Sequence, residues 1–204
     1  LSGMPVDVEF LSFDDVLAGG LEGFDVAINA GDAGTAFSGG RRWDDPALEA
    51  AVREWVYNGG GLIGVGEPTA YPKNGRYFAL ADVFGVDKEQ GFTLSTDKYN
   101  LKKAERHFIL EDVEGALDYG EGMKGIYAKP DATVLDIEGQ DVFMAVNDYG
   151  KGRAVYIAGL PYSVQNERIL YRACHYAAHK EALLKRRYCD DTAVTVQYYP
   201  QIGE

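Results

Sequence analysis

Apolar positions along this chain change spacing in ways that separate strands from helices. Val6, Val8 and Phe10 alternate with Asp7 and Glu9, the period of a half-exposed strand, so residues 6 to 11 are predicted as a strand near a sheet edge. Phe13 to Leu17 reads as a short helix or turn. Phe24-Asp25-Val26-Ala27-Ile28-Asn29-Ala30-Gly31 is mostly apolar and runs into glycine, the pattern of a strand buried on both faces. A flexible loop is expected from Gly31 to Gly40. Asp45 then supplies an N-cap with Pro46 at the first helical position, Leu48, Val52, Trp55 and Val56 form one stripe, and Asn58-Gly59 stops the helix. Leu62 to Gly66 follows as another apolar strand. Strand, loop, helix and strand in that order make a βαβ unit, with parallel strands and a right-handed crossover.

Residues 86 to 133 carry many charges and few periodic stretches, and are expected to be an irregular insertion. Ala132 to Ile137 and Val142 to Val146 read as strands. The Asn147 to Gly152 turn joins the latter to Arg153 to Ala158 in a hairpin. A helix is predicted from Asn166 to roughly Leu184, with Ile169, Leu170, Ala173, Tyr176 and Ala177 facing the core. Ala193 to Tyr199 returns to strand. At the start, Gly3 and Pro5 have the order of a helix C-terminus, which places a further helix, and with it the first strand of the sheet, upstream of Leu1. The expected layout is one α/β domain over 1–188, with 189–204 as linker and first strand of a following β domain.

The strand over Leu62 to Gly66 ends in Glu67-Pro68, a glycine turn at the carboxyl edge of a parallel sheet. Hydrolases and glutaminases mount a Ser or Cys nucleophile at such a turn, and a carboxylate there forms neither an acyl ester nor a thioester. Glu67 has two readings: a desolvated general acid or base, or a cap or ion-pair partner. Asn29, Asp32 and Glu67 are the candidate substrate-binding residues of a cleft at this edge; no catalytic residue is assigned. His175 and His179 have metal-ligand spacing, but Tyr176 replaces the Glu of a zinc-protease motif, and Arg168 and Arg172 argue for a solvated basic face instead. His107 is expected at the surface. Tyr71, Tyr77, Phe78 and Phe84 are read as packing residues rather than sugar-stacking ones. Gly31-Asp32-Ala33-Gly34 and Gly59-Gly60-Gly61 match neither dinucleotide-binding nor P-loop spacing, so no cofactor and no metal is expected.

Composition narrows the partners. With 32 acidic against 20 basic residues the formal charge is −12, which repels nucleic acid and anionic lipid. No apolar run approaches the roughly 20 residues of a membrane span, and no leader pattern opens the chain, so a cytoplasmic protein is expected. Cys174 and Cys189 are expected to stay reduced, Cys174 as a packed helical side chain.

Several stretches taken together resemble the lacto-N-biose/galacto-N-biose phosphorylases. They are residues 5 to 16, Trp55-Val56 with Gly59-Gly60-Gly61, Gly64-Val65-Gly66-Glu67-Pro68, Asp97-Lys98-Tyr99, and Asn147 to Arg153 with Gly159-Leu160-Pro161-Tyr162-Ser163. The resemblance covers nearly the whole chain. It implies a class I glutamine-amidotransferase-like (flavodoxin-like) fold: three layers, a mostly parallel sheet flanked by helices, with a β-hairpin and an irregular insertion. It also implies a middle domain placed between a TIM-like catalytic barrel and a small β domain, in a homodimer. The implied parent activity is phosphorolysis of a β-1,3-galactosyl-N-acetylhexosamine to α-galactose 1-phosphate with inversion. Its acid would lie in the barrel, and a galactosyl-rhamnose phosphorylase is the alternative parent. A free-standing small-molecule or glycan-binding module on the same fold is the competing class.

Overall fold

The computed structural model describes residues 6–73, 75–91 and 102–184. The expected helix end before Pro5, the Asp97-Lys98-Tyr99 stretch, Cys189 and the strand at Ala193 to Tyr199 lie outside the described residues.

A five-stranded sheet in the order β1-β2-β9-β8-β7 organises the chain. Its strands are β1 (Val26–Gly31), β2 (Gly61–Gly66), β7 (Thr133–Glu138), β8 (Asp141–Tyr149) and β9 (Gly152–Ile157). β1 pairs with β2 and β2 with β9 in parallel, whereas β9–β8 and β8–β7 are antiparallel. The sheet is therefore mixed, not mostly parallel. The reason is local: Gly150-Lys151 and Gly139-Gln140 are too short to cross over, so each can only return the chain antiparallel.

Helices cover both faces. On one, α2 (Pro46–Tyr57) buries Leu48, Val52 and Val56 against Leu62, Ala154 and Tyr156, and α1 (Phe13–Leu17) adds Phe13 and Val16. On the other, α4 (Val164–Ala177) packs Ile169, Ala173 and Ala177 on Ile63, Val155 and Ile157. Consecutive strand residues thus point to opposite layers, which explains the near-continuous apolar runs. Short pairs β3 (Ala70–Lys73) with β4 (Arg76–Phe78), and β5 (Val86–Lys88) with β6 (Ile126–Ala128), flank α3 (Ala81–Phe84) at the carboxyl end of β2.

Local signals were obeyed where they were local. Asp45 accepts the Ala47 N–H at 2.9 Å with Pro46 at the first position, and α2 ends with Gly59 left-handed (φ 126°). The Gly60 N–H then closes on the Trp55 carbonyl at 3.0 Å and the Gly59 N–H on Val56 at 2.9 Å. Four expectations are corrected. Val6 to Leu11 is not paired as a strand, and Phe10 is 97% exposed, because a strand needs a partner as well as a pattern. The Gly31 to Gly40 loop is held by its own bonds, Ser38 Oγ and Thr35 Oγ1 donating to the Asp32 carbonyl at 2.6 and 2.8 Å and Trp43 Nε1 to the Ser38 carbonyl at 2.5 Å. Arg172 is not on a solvated face: it is 1% exposed, lies 4.2 Å over the Phe108 ring, and donates to Phe108 O, Asp112 and Glu111 at 2.5 Å each. His107 is half-buried rather than at the surface, its Nδ1 capping Ile109 N–H at 3.2 Å and its ring 4.7 Å from Tyr176.

The last helix stops at Ala177, short of the expected Leu184. His179 turns left-handed (φ 55°), with the Lys180 N–H on the His175 carbonyl at 2.8 Å and the His179 N–H on Tyr176 at 3.1 Å. This is the same closure that Gly59 gives α2, made by a residue with a Cβ and so at a cost of about 1 kcal/mol. Replacing His179, which is exposed, by glycine (His179→Gly) is expected to raise the unfolding free energy by roughly 0.5–1 kcal/mol in urea titrations. An unchanged or lower midpoint would show that the imidazole makes up for the strain.

Candidate functional site

β2 delivers Glu67 to the carboxyl edge of the sheet, as the glycine turn predicted. Gly66 is left-handed (φ 76°), and a Cβ there would sit 3.1 Å from the Gly31 carbonyl at the end of β1. Glu67 N–H donates to that carbonyl at 2.9 Å. The turn continues through Pro68 to Thr69, buried and left-handed (φ 57°), whose N–H donates to Asn29 Oδ1 at 3.0 Å. Asn29 Nδ2 in turn donates to the Phe37 carbonyl at 3.2 Å. One amide side chain therefore fastens both the β1 loop and the β2 turn. At Gly64, a Cβ would come within 2.6 Å of Phe84 and Pro68, so close approach of α3 and the turn to the strand requires glycine.

Glu67 is buried, and both its oxygens are engaged. Oε2 accepts the Ala33 N–H at 2.7 Å, and Oε1 accepts Lys88 Nζ at 2.8 Å and the Tyr77 hydroxyl. Lys88 also sits 4.5 Å over the Tyr77 ring. Burial pushes the Glu67 carboxyl up, but the bonds from Lys88, Tyr77 and Ala33 and the charge of Lys88 outweigh it, and its pKa ends below the ordinary value. The Tyr77 hydroxyl is driven the other way, by burial and by the carboxylate it serves. Beneath this group, Tyr156 donates to the Gly66 carbonyl at 3.1 Å. Asp87, 2% exposed, accepts the N–H groups of Tyr77, Phe78 and Lys88 at 2.9, 3.0 and 2.8 Å. Desolvation raises the Asp87 pKa in spite of those three bonds.

The structure thus brings Asn29 and Glu67 into one cluster and leaves Asp32 on its rim. The Asp32 side chain is exposed, and its carbonyl holds Thr35 and Ser38. A carboxylate held below its ordinary pKa and bonded by three donors is ionised near neutral pH and has no proton to give there, so Glu67 is unsuited to general acid work. Tyr77 was legible only as an aromatic and Lys88 not at all, since their link to Glu67 exists only once β4 and β5 fold over the turn. Phe78 and Phe84 are fully buried in the same core, and Tyr71 and Tyr77 pack against it.

Away from this turn, Cys174 is a free thiol, pushed up to about 11 by burial and thus unreactive. His175 Nδ1 lies 3.0 Å from the Tyr171 carbonyl, and His179 belongs to the helix stop described above. Among the described residues no group of three or more His, Cys, Asp or Glu side chains is placed to hold a metal ion, and no helix is long and apolar enough to cross a membrane. A cleft of about 360 Å³ opens between α1 and the start of α2, lined by Phe13, Leu17, Arg41, Arg42, Asp44 and Leu48. A second, of about 420 Å³, lies where Lys103, Tyr119, Asp136 and Phe143 meet. Neither reaches the Glu67 turn.

These features define a three-layer α/β domain whose elbow position carries a paired, buried carboxylate. The chain belongs to the lacto-N-biose phosphorylase central-domain family, whose profile matches residues 1–182. It is 52% identical, over 98% of its length, to a 1,3-beta-galactosyl-N-acetylhexosamine phosphorylase of Lachnoclostridium phytofermentans, and covers 28% of that protein. A phosphorylase of the same description from Bifidobacterium longum is 41% identical over 100% of the chain, which covers 32% of it. The chain therefore spans about a third or less of the relatives it matches. Among solved structures, a cytoplasmic protein of Salmonella typhimurium shares the fold with a TM-score of 0.58 at 15% identity, over 85% of this chain and 82% of that one. The likeness places the chain in the α/β class.

Glu67→Gln preserves shape but removes the charge that Lys88 and Tyr77 complement, and is expected to cost about 2 kcal/mol at neutral pH. The folded pKa of Glu67 lies below its unfolded value, so its contribution is full above the ordinary carboxylate range and fades as pH falls through the folded value. Asp87, shifted upward, has the opposite dependence but is common to both proteins and cancels in the difference. Urea midpoints of parent and variant are expected to differ near pH 7 and to converge in acid; equal midpoints at pH 7 would remove Glu67 from the forces holding this edge.

Proposed function

We propose that this chain is the non-catalytic central domain of an inverting glycoside phosphorylase. That enzyme converts a β-1,3-galactosyl-N-acetylhexosamine and phosphate into α-galactose 1-phosphate and free N-acetylhexosamine. Such a reaction needs one carboxylic acid to protonate the leaving oxygen while phosphate attacks the opposite face of the sugar. The observation that carries the assignment of roles is the state of Glu67. The carboxylate at the position where this kind of sheet mounts its reactive group is ionised, buried and spoken for by three donors. The domain contributes architecture, and the acid belongs to a barrel domain in the same polypeptide.

In this reading residues 1–188 form the central domain and 189–204 lead into a β domain that follows. Asn29 and Glu67 are fasteners of the carboxyl edge. Asp32, with its side chain in solvent, is the one of the three candidate residues positioned to meet a sugar or a neighbouring domain. The kinship at 52% identity with an enzyme described as acting on galactosyl-N-acetylhexosamines supports that substrate class. A cytoplasmic homodimer is the assembly proposed with it.

The test is phosphorolysis of galacto-N-biose, followed by release of galactose 1-phosphate, with residues 1–204 and with the full-length enzyme. Turnover confined to the full-length protein, together with no binding of galacto-N-biose to residues 1–204 by calorimetry, is the expected result. Binding of the disaccharide by the isolated domain would instead favour a glycan-binding module. Turnover by the isolated domain would end the scaffold reading.

A further inference from the structure

The segment from Lys103 to Val113 lies as a strap on one edge of the main sheet. Lys103 bridges in parallel to Val134 on β7, and the Ala104 N–H donates to the Val134 carbonyl at 2.8 Å. Further along, Ile109 is fully buried beside Leu135, Val155, Ile157 and Ile169. The strap also supplies the Phe108 carbonyl, Glu111 and Asp112 that hold Arg172 of α4. Between the sheet edge and Arg172 stands His107, just ahead of a turn of 3-10 helix over Phe108–Leu110. Its Nδ1 accepts the Ile109 N–H at 3.2 Å, and its carbonyl accepts the Leu110 N–H at 2.9 Å.

A backbone N–H aimed at Nδ1 requires a lone pair there, so the hydrogen of the neutral ring is on Nε2. The other two histidines differ. His175 Nδ1 faces the Tyr171 carbonyl at 3.0 Å and so carries a hydrogen already; a second proton on that ring breaks no bond. His179 is exposed. At His107 the second proton has to go on Nδ1, where it meets the Ile109 N–H head on. The cap is then lost and a buried amide is left without its partner. Turning the ring aside would break its edge-on packing against Tyr176, at 4.7 Å between centroids.

The groups around the ring act in the same direction. Burial opposes a charge on His107, and Arg153 at the start of β9 adds its repulsion. Glu181 and Glu111 favour the charge without outweighing these, and the His107 pKa lies below the ordinary imidazole value. Arg153 is itself fixed in place: its guanidinium lies 4.4 Å over the Tyr176 ring, donates to the Tyr176 carbonyl at 3.0 Å and pairs with Glu181. Part of the Glu181 charge is thereby already engaged. The Tyr176 phenol, raised chiefly by burial, stays neutral.

We propose that His107 is a pH-sensitive latch: the neutral imidazole keeps the strap closed on the β7 edge, and proton uptake at Nδ1 releases it. With the folded pKa below the unfolded one, the latch holds fully above the ordinary imidazole value and weakens as pH falls through the folded value. Arg172, a guanidinium that does not titrate near neutrality, anchors the far end of the strap through Glu111 and Asp112, so the release is a local opening hinged there. That opening widens the cleft of about 420 Å³, because Lys103 and Leu110 form one wall of it against Tyr119, Asp136 and Phe143.

Long-range proton–nitrogen NMR of the imidazoles, with amide hydrogen exchange over the same pH range, tests this on the chain. His107 is expected as the Nε2–H tautomer near neutrality, titrating below the roughly 6.5 of an unperturbed imidazole. From about pH 8 to about pH 5, the protection of the Ala104 and Ile109 amides, corrected for intrinsic exchange, is expected to fall roughly tenfold while β9 keeps its own. His107→Asn puts a capping side chain that does not titrate in place of the ring, and its protection at the same amides is expected to stay flat. An Nδ1–H tautomer, a midpoint at or above the unperturbed value, or an equal loss in β9 overturns the latch. So does an equal fall in His107→Asn, which would assign the acid response to the carboxylates. Should that variant fail to fold, the tautomer, the midpoint and the exchange profile of the parent decide by themselves.

Discussion

One carboxylate holds the carboxyl edge of this domain's sheet together. Glu67 gathers the β1 loop through Ala33, the β4 strand through Tyr77 and the β5 strand through Lys88, all onto the turn that ends β2. The three donors come from parts of the chain that share no local structure. Without the carboxylate, Lys88 would be left as a half-buried charge facing a phenol. A buried acid survives only when such partners are supplied, and supplying them fixes the geometry of everything attached. Asn29 repeats the device on a smaller scale, bonding the β1 loop with one end of its amide and the β2 turn with the other.

The same logic recurs on the opposite face. Arg172 enters the core from α4 and is met by the Phe108 carbonyl and ring and by the carboxylates of Glu111 and Asp112. On the α2 face, Arg53 bonds Asp82, Glu49 and the Ala79 carbonyl, tying the helix to α3. The irregular stretches of this chain are thus held less by ladders than by a few charged side chains with complete sets of partners. The turn after β2 carries one of these fastening points. Its carboxylate is spent on cohesion.

Features decided within a few residues were legible. Asp45-Pro46 and Asn58-Gly59 bound α2 because caps and left-handed turns are local events, and the β8–β9 hairpin followed from Gly150-Lys151. The glycine turn at Gly66 placed Glu67 at the sheet's edge for the same reason. Features that depend on distant partners were not legible. Arg172 reads as solvated on its own helix, and only Glu111 and Asp112, about sixty residues earlier, make its burial tolerable. The mixed character of the sheet was implicit in two short turns, but the parallel pattern of the first half was extended too far. The early end of α4 had no signal, because His179 occupies a conformation that glycine would have announced.

By itself the sequence determined the class of fold, the family and the absence of a nucleophile at the elbow, since each depends on residue identity at positions set by local turns. Tertiary structure alone decided what Glu67 is for. Whether a carboxylate is an acid, a base or a rivet depends on which donors reach it and how much water is left, and those come from strands that meet only in the folded chain. The same division explains Val6 to Leu11: the alternation that makes it fit to be a strand is written in the residues, but being a strand requires a neighbour, and neighbours are supplied by the fold.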